Sequence, residues 1–255
     1  MSPGMVKNMV ALQSLVHVLV KDQSLVLREI GLLRKLRKLN VLFRNVDANW
    51  KAFAESLGKL SSSLRSLSIH ILDEKEYSSS LDILAPVESP PLLLTNFSLT
   101  GKLESLPPWI TSLRSVSRLT LRSTGLHARA IEILGDLPNL LFLKLYHKSY
   151  ADDSIVLPLG KFAKLSLLVI DNLENIDRVH FEEGSVLNLE RLTLSFLREP
   201  KDGISGLNNL PKLKEIEFFG NIILSIVHKV VSCVKTHPNH PRVVGDKWSI
   251  VTKYA

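Results

Sequence analysis

The sequence contains a single cysteine, Cys233, and only 6% of its residues are aromatic. One thiol cannot form an intrachain disulfide, which excludes the class of small extracellular proteins that disulfides hold together. The apolar stretch at residues 12–20 is interrupted by polar residues, is too short to cross a bilayer, and lacks a small-residue cleavage site. We therefore expect a soluble protein located in the cytoplasm.

The residue patterns of common catalytic and cofactor sites are also missing. His237 and His240 lie three residues apart, but two ligands do not complete a metal site. The neighbouring carboxylates at 152–153 and 182–183 have no histidine or nucleophile at a diagnostic spacing, so we interpret them as solvated loop charges. There is no G-x-S-x-G nucleophile elbow. We predict that the chain is not an enzyme and needs neither cofactor nor metal.

Charge of one sign is in modest excess, with a formal net charge of +7. The basic residues are scattered in pairs, such as Arg34-Lys35 and Arg37-Lys38, without the interleaved aromatic residues on which bases stack. A mildly basic, solvated surface is the favoured interpretation. An anion-binding protein that recognises nucleic acid or phosphoinositide lipid is the alternative, and it predicts binding that falls steeply with salt.

One pattern, L-x-x-L-x-L with aliphatic substitutions, recurs along most of the chain. Its first positions are spaced 22 to 30 residues apart, the period of leucine-rich repeats. A weaker copy, Leu12-Leu15-Val18, precedes the others. The eight clear copies are Leu36-Leu39-Val41, Leu64-Leu67-Ile69, Leu94-Phe97-Leu99, Val116-Leu119-Leu121, Leu140-Leu143-Leu145, Leu165-Leu168-Ile170, Leu189-Leu192-Leu194 and Leu213-Ile216-Phe218.

The repeat predicts an α/β repeat fold, a leucine-rich-repeat solenoid. The last two apolar positions of each copy alternate, so they point to one face of a short strand. Strands from successive repeats then pair in a curved parallel sheet on the concave face, while irregular and short helical segments return on the convex face. A buried leucine contributes roughly 1.5–3 kcal/mol, so the fold needs a stack of repeats rather than one.

We predict a single leucine-rich-repeat domain over residues 1–255, with a C-terminal capping helix at 219–234 and an irregular tail at 235–255. Cys233 is expected to be a small buried hydrophobe in that helix. Helical spacing at 49–60 and 130–135 predicts two return helices, the second ended by a glycine. The prolines at 107–108 predict an irregular return, and the polar residues 73–80 an exposed loop.

Several segments resemble the C-terminal leucine-rich-repeat region of plant nucleotide-binding leucine-rich-repeat disease-resistance proteins, especially the cereal coiled-coil type. The similarity spans roughly the whole chain, and the combination of segments is more specific than any one of them. These segments are LPPWI at 106–110, LTLR at 119–122, LGDLPNL at 134–140, VHFEEG at 179–184, LKEI at 213–216 and HPNHP at 237–241.

The resemblance implies a protein-recognition module in plant innate immunity. Such a module would sense a pathogen effector or a guarded host protein, and it would hold the receptor inactive through the receptor's own nucleotide-binding domain. The phosphate loop G-x-x-x-x-G-K-[ST] is missing here, so no residue of this chain inherits the nucleotide switch. The chain is therefore expected to be a fragment of a receptor or a truncated relative. The first, weak repeat has no polar cap ahead of it, which indicates either that more repeats once preceded it or that another domain normally covers it.

Partner contacts are expected at the strand positions between the core leucines, which face outward on the concave surface. Phe142, Tyr146, Leu167 and Val169 are apolar at such positions, where polar residues are usual. Aromatic residues and arginine contribute most to the energy of protein interfaces. The predicted partner-binding set adds the polar residues around them, and in full it is Arg118, Arg122, Phe142, Lys144, Tyr146, Leu167, Val169 and Asp171.

Two alternatives remain open at the level of sequence. A one-residue shift in register, or a covering loop, would place these side chains in the core instead of on the surface. The repeat itself also fits a generic scaffold or adaptor outside immunity, since a fold does not define a pathway.

Overall fold

Short parallel strands follow one another at the period of the repeat, and each contains the last two apolar positions of one copy. The computed structural model describes residues 8–20, 24–44, 50–72, 84, 87–220 and 223–245. The chain divides into two compact units, residues 1–119 and 120–255, where the sequence predicted a single domain.

The first unit contains a parallel sheet of strands, with α-helices in two of the returns that the structure describes. Its strands pair in the order β1-β2-β3-β4, with Leu39 opposite Leu67 and Leu67 opposite Phe97. Strand β5 (Arg118–Arg122) begins in this unit and ends in the second. In chain order, the earlier elements are β1 (Ser14–Val20), α1 (Ser24–Ile30), β2 (Lys38–Arg44), α2 (Trp50–Lys59), β3 (Ser66–Leu72) and β4 (Asn96–Thr100).

The second unit contains two parallel sheets. The larger has the order β6-β8-β10-β12-β13, and the smaller has the order β7-β9-β11. In chain order its elements are α3 (Ala128–Gly135), β6 (Phe142–Tyr146), β7 (Ser154–Leu157), β8 (Leu167–Leu173), β9 (Arg178–Phe181), β10 (Arg191–Phe196), β11 (Gly203–Ser205), β12 (Glu215–Phe218), α4 (Leu224–Lys235) and β13 (Arg242–Gly245).

The core consists of the repeated apolar positions. All three motif residues of each of the eight clear copies are at most 4% exposed. In the weaker first copy Leu15 and Val18 are buried on β1, while Leu12 is half-buried. The predicted repeat and the leucine-rich-repeat fold class are therefore confirmed. Outward residues of the strands alternate with this core, so the register predicted from the sequence is the observed one.

Helical returns occur where the apolar spacing indicated them, and one irregular return is more regular than predicted. Helix α2 buries Phe53 and Leu57 as its spacing requires. Residues 108–112, predicted to be irregular, form a 3₁₀ helix that starts at Pro108. Proline suits the first position of a helix, where its missing N–H has no partner to lose. The predicted loop at 73–80 lies outside the described residues.

Extended backbone in the returns is the main feature that the sequence did not indicate. Strands β7, β9 and β11 place three consecutive returns of the second unit side by side as a sheet, in register from Ile155 to Val179 to Ile204. Val179 and Phe181 are fully buried, alternating with exposed Arg178. In such strands alternate side chains are buried, although each strand is only three or four residues long.

The C-terminal segment differs from its prediction at both ends. Helix α4 begins at Leu224, five residues after the predicted start, and Gly220 has a left-handed φ of 72° that lies outside helical backbone. Strand β13 (Arg242–Gly245) pairs with β12, so the predicted irregular tail is wrong for these residues. Cys233 is exposed rather than buried, because the buried face of α4 is formed by Ile226, Val227, Val230 and Val234.

Gly135 ends α3 for a reason other than the predicted one. The residue after it, Asp136, caps the helix in right-handed backbone, so no left-handed glycine is needed there. A Cβ atom at Gly135 would lie 2.6 Å from Cβ of Lys161 in the next repeat. Glycine therefore permits the close approach of two successive returns.

Asp152, predicted to be a solvated loop charge, closes the amino-terminal end of α3. It accepts a hydrogen bond from the backbone N–H of Ala128 at 2.8 Å and pairs with Nδ1 of His127 at 2.6 Å. Partial desolvation acts to raise the pKa of Asp152, but the hydrogen bonds from His127 and Ala128 outweigh it and hold the pKa below its usual range.

We expect Asp152→Asn to lower the free energy of unfolding by about 0.5–1 kcal/mol at neutral pH, because an exposed cap is partly screened by solvent. The depressed pKa means that the carboxylate stabilises the fold above the unfolded-state pKa of about 4 and stops doing so as pH falls through the folded-state value. Urea unfolding of both proteins across acid pH measures this. The two stabilities should converge below about pH 4, and a constant gap would contradict the assignment.

Candidate partner-binding site

The outward face of the larger sheet in the second unit is a regular grid. Parallel pairing places Phe142, Leu167 and Arg191 in one row across β6, β8 and β10. The next row along the strands contains Lys144, Val169 and Thr193, and the third contains Tyr146, Asp171 and Ser195. Because side chains alternate between the two faces of a strand, all nine side chains emerge on the side opposite the leucine core.

Tyr146 is the centre of the polar contacts on this face. The guanidinium carbon of Arg122 lies 4.6 Å from the centroid of its ring, and Nζ of Lys144 lies 4.7 Å from it. Both distances are within the range of cation–π attraction, worth about 0.5–1 kcal/mol each at exposed sites. The ring is half-exposed, so it is held in one position while part of its surface stays open to solvent.

Lys144 also connects this ring to a buried carboxylate. Its Nζ lies 3.0 Å from Oδ2 of Asp171, whose side chain is only 4% exposed. Among the described residues Oδ1 of Asp171 has no hydrogen-bond partner. Lys144 therefore pairs with this acid while its charge also faces the tyrosine ring.

The eight residues predicted to bind a partner do not offer equal surface. Phe142 and Leu167 are half-exposed and adjacent, whereas Val169 is 8% exposed and Asp171 is 3% exposed, although both point outward. Both lie on β8, which pairs with β6 on one side and with β10 on the other. Arg118 and Arg122 are exposed at opposite ends of β5, and Arg118 belongs to the first unit.

We use the term strand-face patch for Arg122, Phe142, Lys144, Tyr146 and Leu167, the accessible members of the predicted set in the second unit. The sequence predicted them from alternation alone.

An ion-pair chain at the next strands was not predicted. Glu215 on β12 lies 2.6 Å from Nη2 of Arg242 on β13 and 3.9 Å from Nε of Arg191 on β10. Because β13 was predicted to be irregular, Arg242 was not assigned to the sheet. The sequence did contain one indication of this strand. Val243 follows Ile216 by 27 residues, which is within the range of spacings between successive repeats.

His237, one of the two histidines considered as a metal pair, has a structural role. It is fully buried, its Nε2 donates to the carbonyl of Leu210 at 3.2 Å, and its Nδ1 accepts the N–H of Asn239 at 3.1 Å. Both ring nitrogens are therefore used. The described residues contain no group of three or more histidine, cysteine, aspartate and glutamate side chains arranged to hold a metal ion. None of the described helices combines the length and apolar character required to traverse a bilayer.

Comparison with known proteins gives a family and several relatives. A family model described as a leucine-rich repeat region matches residues 1–243. The disease resistance protein Pik-2 of Oryza sativa subsp. japonica is 26% identical over 257 residues, which cover 89% of this chain and 24% of that protein. The disease resistance protein RPM1 of Arabidopsis thaliana is 26% identical over 190 residues, covering 74% and 20% respectively. The chain thus spans about a quarter or less of the length of these relatives.

Among solved structures, an internalin from Listeria monocytogenes aligns with 93% of this chain and 81% of its own. The TM-score is 0.44 and the sequence identity is 15%.

Proposed function

The chain belongs to the leucine-rich repeat region family, and from this premise we propose that it is a protein-recognition module in plant disease resistance. In this role it binds a pathogen effector or a guarded host protein through the strand-face patch. In a longer receptor the same surface is also available to the receptor's own nucleotide-binding domain, as an inhibitory contact. The relatives named above, which are disease resistance proteins, support the pathway.

The observation that carries the proposal is the half-exposed Tyr146 ring fixed beside Arg122 and Lys144. Tyrosine and arginine are enriched at the energetic centres of protein interfaces, because each offers a large contact area together with a polar group. A ring that is already positioned loses less conformational entropy when a partner covers it. Phe142 and Leu167 extend the same face with apolar surface.

The arrangement favours binding over chemistry. The acids on this face have partners: Asp171 pairs with Lys144, Glu215 pairs with Arg242, and Glu217 accepts a hydrogen bond from Thr193. The face has the composition of an interface, with aromatic and aliphatic side chains bordered by cations. We therefore propose a non-catalytic mechanism, in which a change in surface complementarity alters affinity for the partner.

The double substitution Phe142→Ala/Tyr146→Ala should weaken partner binding about tenfold or more, as removal of interface aromatics usually does. Unfolding free energy should fall by no more than about 1–2 kcal/mol, because both rings are half-exposed and the contacts of Tyr146 with Arg122, Lys144 and His147 lie at the surface. Fluorescence anisotropy with a labelled pathogen effector that the wild-type chain binds measures the first effect, and urea unfolding measures the second. A matched control, Val156→Ala/Arg178→Ala on the smaller sheet, should change neither binding nor stability to this extent.

A test in the source plant distinguishes immunity from a generic scaffold. A line that lacks the gene is complemented with the wild-type sequence, with the Phe142/Tyr146 variant, or with the Val156/Arg178 control, and pathogen growth is measured. Disease resistance predicts restricted growth with the wild type and the control, and unrestricted growth with the patch variant. If loss of the gene leaves pathogen growth unchanged, the immune role is wrong and a scaffold outside immunity takes its place. If the control fails together with the patch variant, the assigned surface is wrong.

A further inference from the structure

A basic pocket of about 260 Å³ lies in the first unit, at the start of its strands. Its volume is just below the range for drug-sized ligands, so it suits a compact molecule. The side chains around it include four cations and no acid; they are Gln13, Arg34, Lys35, Arg37, Ser62, Ser63 and Arg65.

The repeat brings these cations together. Arg37 and Arg65 immediately precede β2 and β3, and Gln13 precedes β1, so the three occupy the same repeat position. Their backbones are fixed, since Arg37 N–H donates to the Gln13 carbonyl and Arg65 N–H to the Arg37 carbonyl, both at 2.8 Å. Residues 28 apart in sequence thus become neighbours along one edge of the sheet.

Hydrogen bonds to backbone carbonyls hold two of the lining side chains in place. Arg34 is anchored, because its Nη1 donates to the carbonyl of Lys59 at the end of α2, at 2.6 Å. Ser63 Oγ donates to the carbonyl of Leu60 at 3.3 Å. The side chains of Lys35, Arg37 and Arg65, by contrast, form no ion pair or hydrogen bond with any other residue that the structure describes.

At the same repeat positions in the second unit, the lysines have hydrogen-bond or ion-pair partners. Lys164 and Lys212, which are equivalent to Lys35, donate to Asn139 at 2.6 Å and Asn188 at 2.5 Å. Lys214, which is equivalent to Arg37, pairs with Glu190 at 2.9 Å. At these two repeat positions, the lysines of the second unit have an acceptor from the neighbouring repeat. Among the described repeats, the cations of the pocket in the first unit at these positions are the ones to which the neighbouring repeat supplies no acceptor.

We propose that this pocket binds a compact, multiply charged oxyanion of the phosphate class, such as a diphosphate or a pair of phosphate monoesters. Clustered cations without acids raise the local potential and concentrate anions. Guanidinium groups match phosphate oxygens with two parallel hydrogen bonds, and serine hydroxyls add donors on the same side. The site is separate from the strand-face patch, and it does not depend on the role proposed for that patch.

The test titrates the full chain with inorganic pyrophosphate by isothermal calorimetry, at about 0.15 M ionic strength, where charges more than about 8 Å apart are largely screened. Arg37→Gln/Arg65→Gln removes the two unpaired guanidinium groups and should weaken binding about tenfold or more. Lys164→Gln/Lys212→Gln removes the same amount of charge in the second unit, at the repeat position of Lys35. This control should change affinity by no more than about twofold, since diffuse charge contributes little at this salt. Circular dichroism confirms that both variants fold.

Three results would overturn the proposal: no heat of binding with the wild type, equal loss in the two variants, or no loss in the pocket variant. A second arm identifies the source of the phosphate. Sedimentation with phosphatidylcholine vesicles, with and without phosphatidylinositol 4,5-bisphosphate, tests a lipid headgroup. If the chain sediments with the phosphoinositide vesicles, and if pyrophosphate or the Arg37→Gln/Arg65→Gln variant abolishes this sedimentation, the site is supported and a lipid headgroup is the source of the phosphate. Calorimetric binding without sedimentation supports it with a free phosphorylated molecule.

Discussion

Replacing Gly206 with alanine should destabilise the second unit by about 3–5 kcal/mol, as the sum of left-handed backbone strain and steric overlap. Gly206 follows β11 with a φ of 78°, in the left-handed region that disfavours a Cβ atom. The added Cβ would lie 2.0 Å from the carbonyl oxygen of Phe181, a distance at which the backbone must move. That oxygen also accepts the side-chain amide of Asn209 at 2.9 Å, so its displacement breaks a second contact. Urea unfolding followed by circular dichroism measures the loss.

Gly203→Ala, three residues earlier at the start of β11, is a matched control. Gly203 has a similar φ of 68°, but an added Cβ would meet no atom within 4 Å. Only the backbone strain remains, at about 1–2 kcal/mol. Equal losses at the two positions would show that the β9 carbonyl moves away without cost and that the contact is not a constraint on the fold.

The second large effect concerns Lys144, whose replacement by methionine should cost about 2–3 kcal/mol, somewhat below the value for fully buried pairs. Methionine keeps the apolar length of the side chain but leaves the Asp171 carboxylate, which is 4% exposed, without its cation. Oδ1 of this carboxylate already has no hydrogen-bond partner among the described residues, so few other contacts can stabilise the charge once Lys144 is replaced. Arg191→Met, which removes an exposed cation 3.9 Å from Glu215, should cost no more than about 0.5 kcal/mol.

A double-mutant cycle separates the pair from its parts. Asp171→Leu removes the carboxylate, and in the double variant Lys144→Met/Asp171→Leu neither charge is left unpaired. The double variant should therefore be more stable than Lys144→Met alone, because replacing both members of a buried pair avoids an isolated charge. Additive losses would mean that Asp171 reaches solvent in solution and that Lys144 does not stabilise it.

The repeat was predictable because its physical cause is local. Each strand needs apolar residues two positions apart, and a further apolar residue three positions before them marks the preceding turn, so eight copies could be aligned by inspection. Strand β13 was missed because Pro238 and Pro241 separate it from the rest and only Val243 and Val244 carry its apolar pattern. The sheet of β7, β9 and β11 was missed because three or four residues are too few to distinguish alternation from chance.

The candidate sites show where sequence reasoning stops. Alternation assigned Val169 and Asp171 to the outward face, but their burial depends on side chains contributed by neighbouring strands. Arg34-Lys35 and Arg37-Lys38 were interpreted as scattered charge, since the pocket requires Arg65 from the next repeat. Equivalent repeat positions predict which residues become neighbours. They do not predict whether a lysine finds an asparagine or stays unpaired.

The alternation in the larger sheet of the second unit has a consequence for evolution. Residues with two different roles alternate along its strands. On β6, Leu143 and Leu145 maintain the fold, while Phe142, Lys144 and Tyr146 face outward. At most outward positions a mutation can alter the surface at little cost in stability, so selection can change the target without having to repair the scaffold. Val169 and Asp171 are exceptions, because they face outward and are nevertheless buried, and so is Lys144, which pairs with the Asp171 carboxylate. Sequence change on this surface is therefore least constrained at Phe142, Tyr146 and Leu167. It is slower at positions where one residue both faces outward and stabilises the fold.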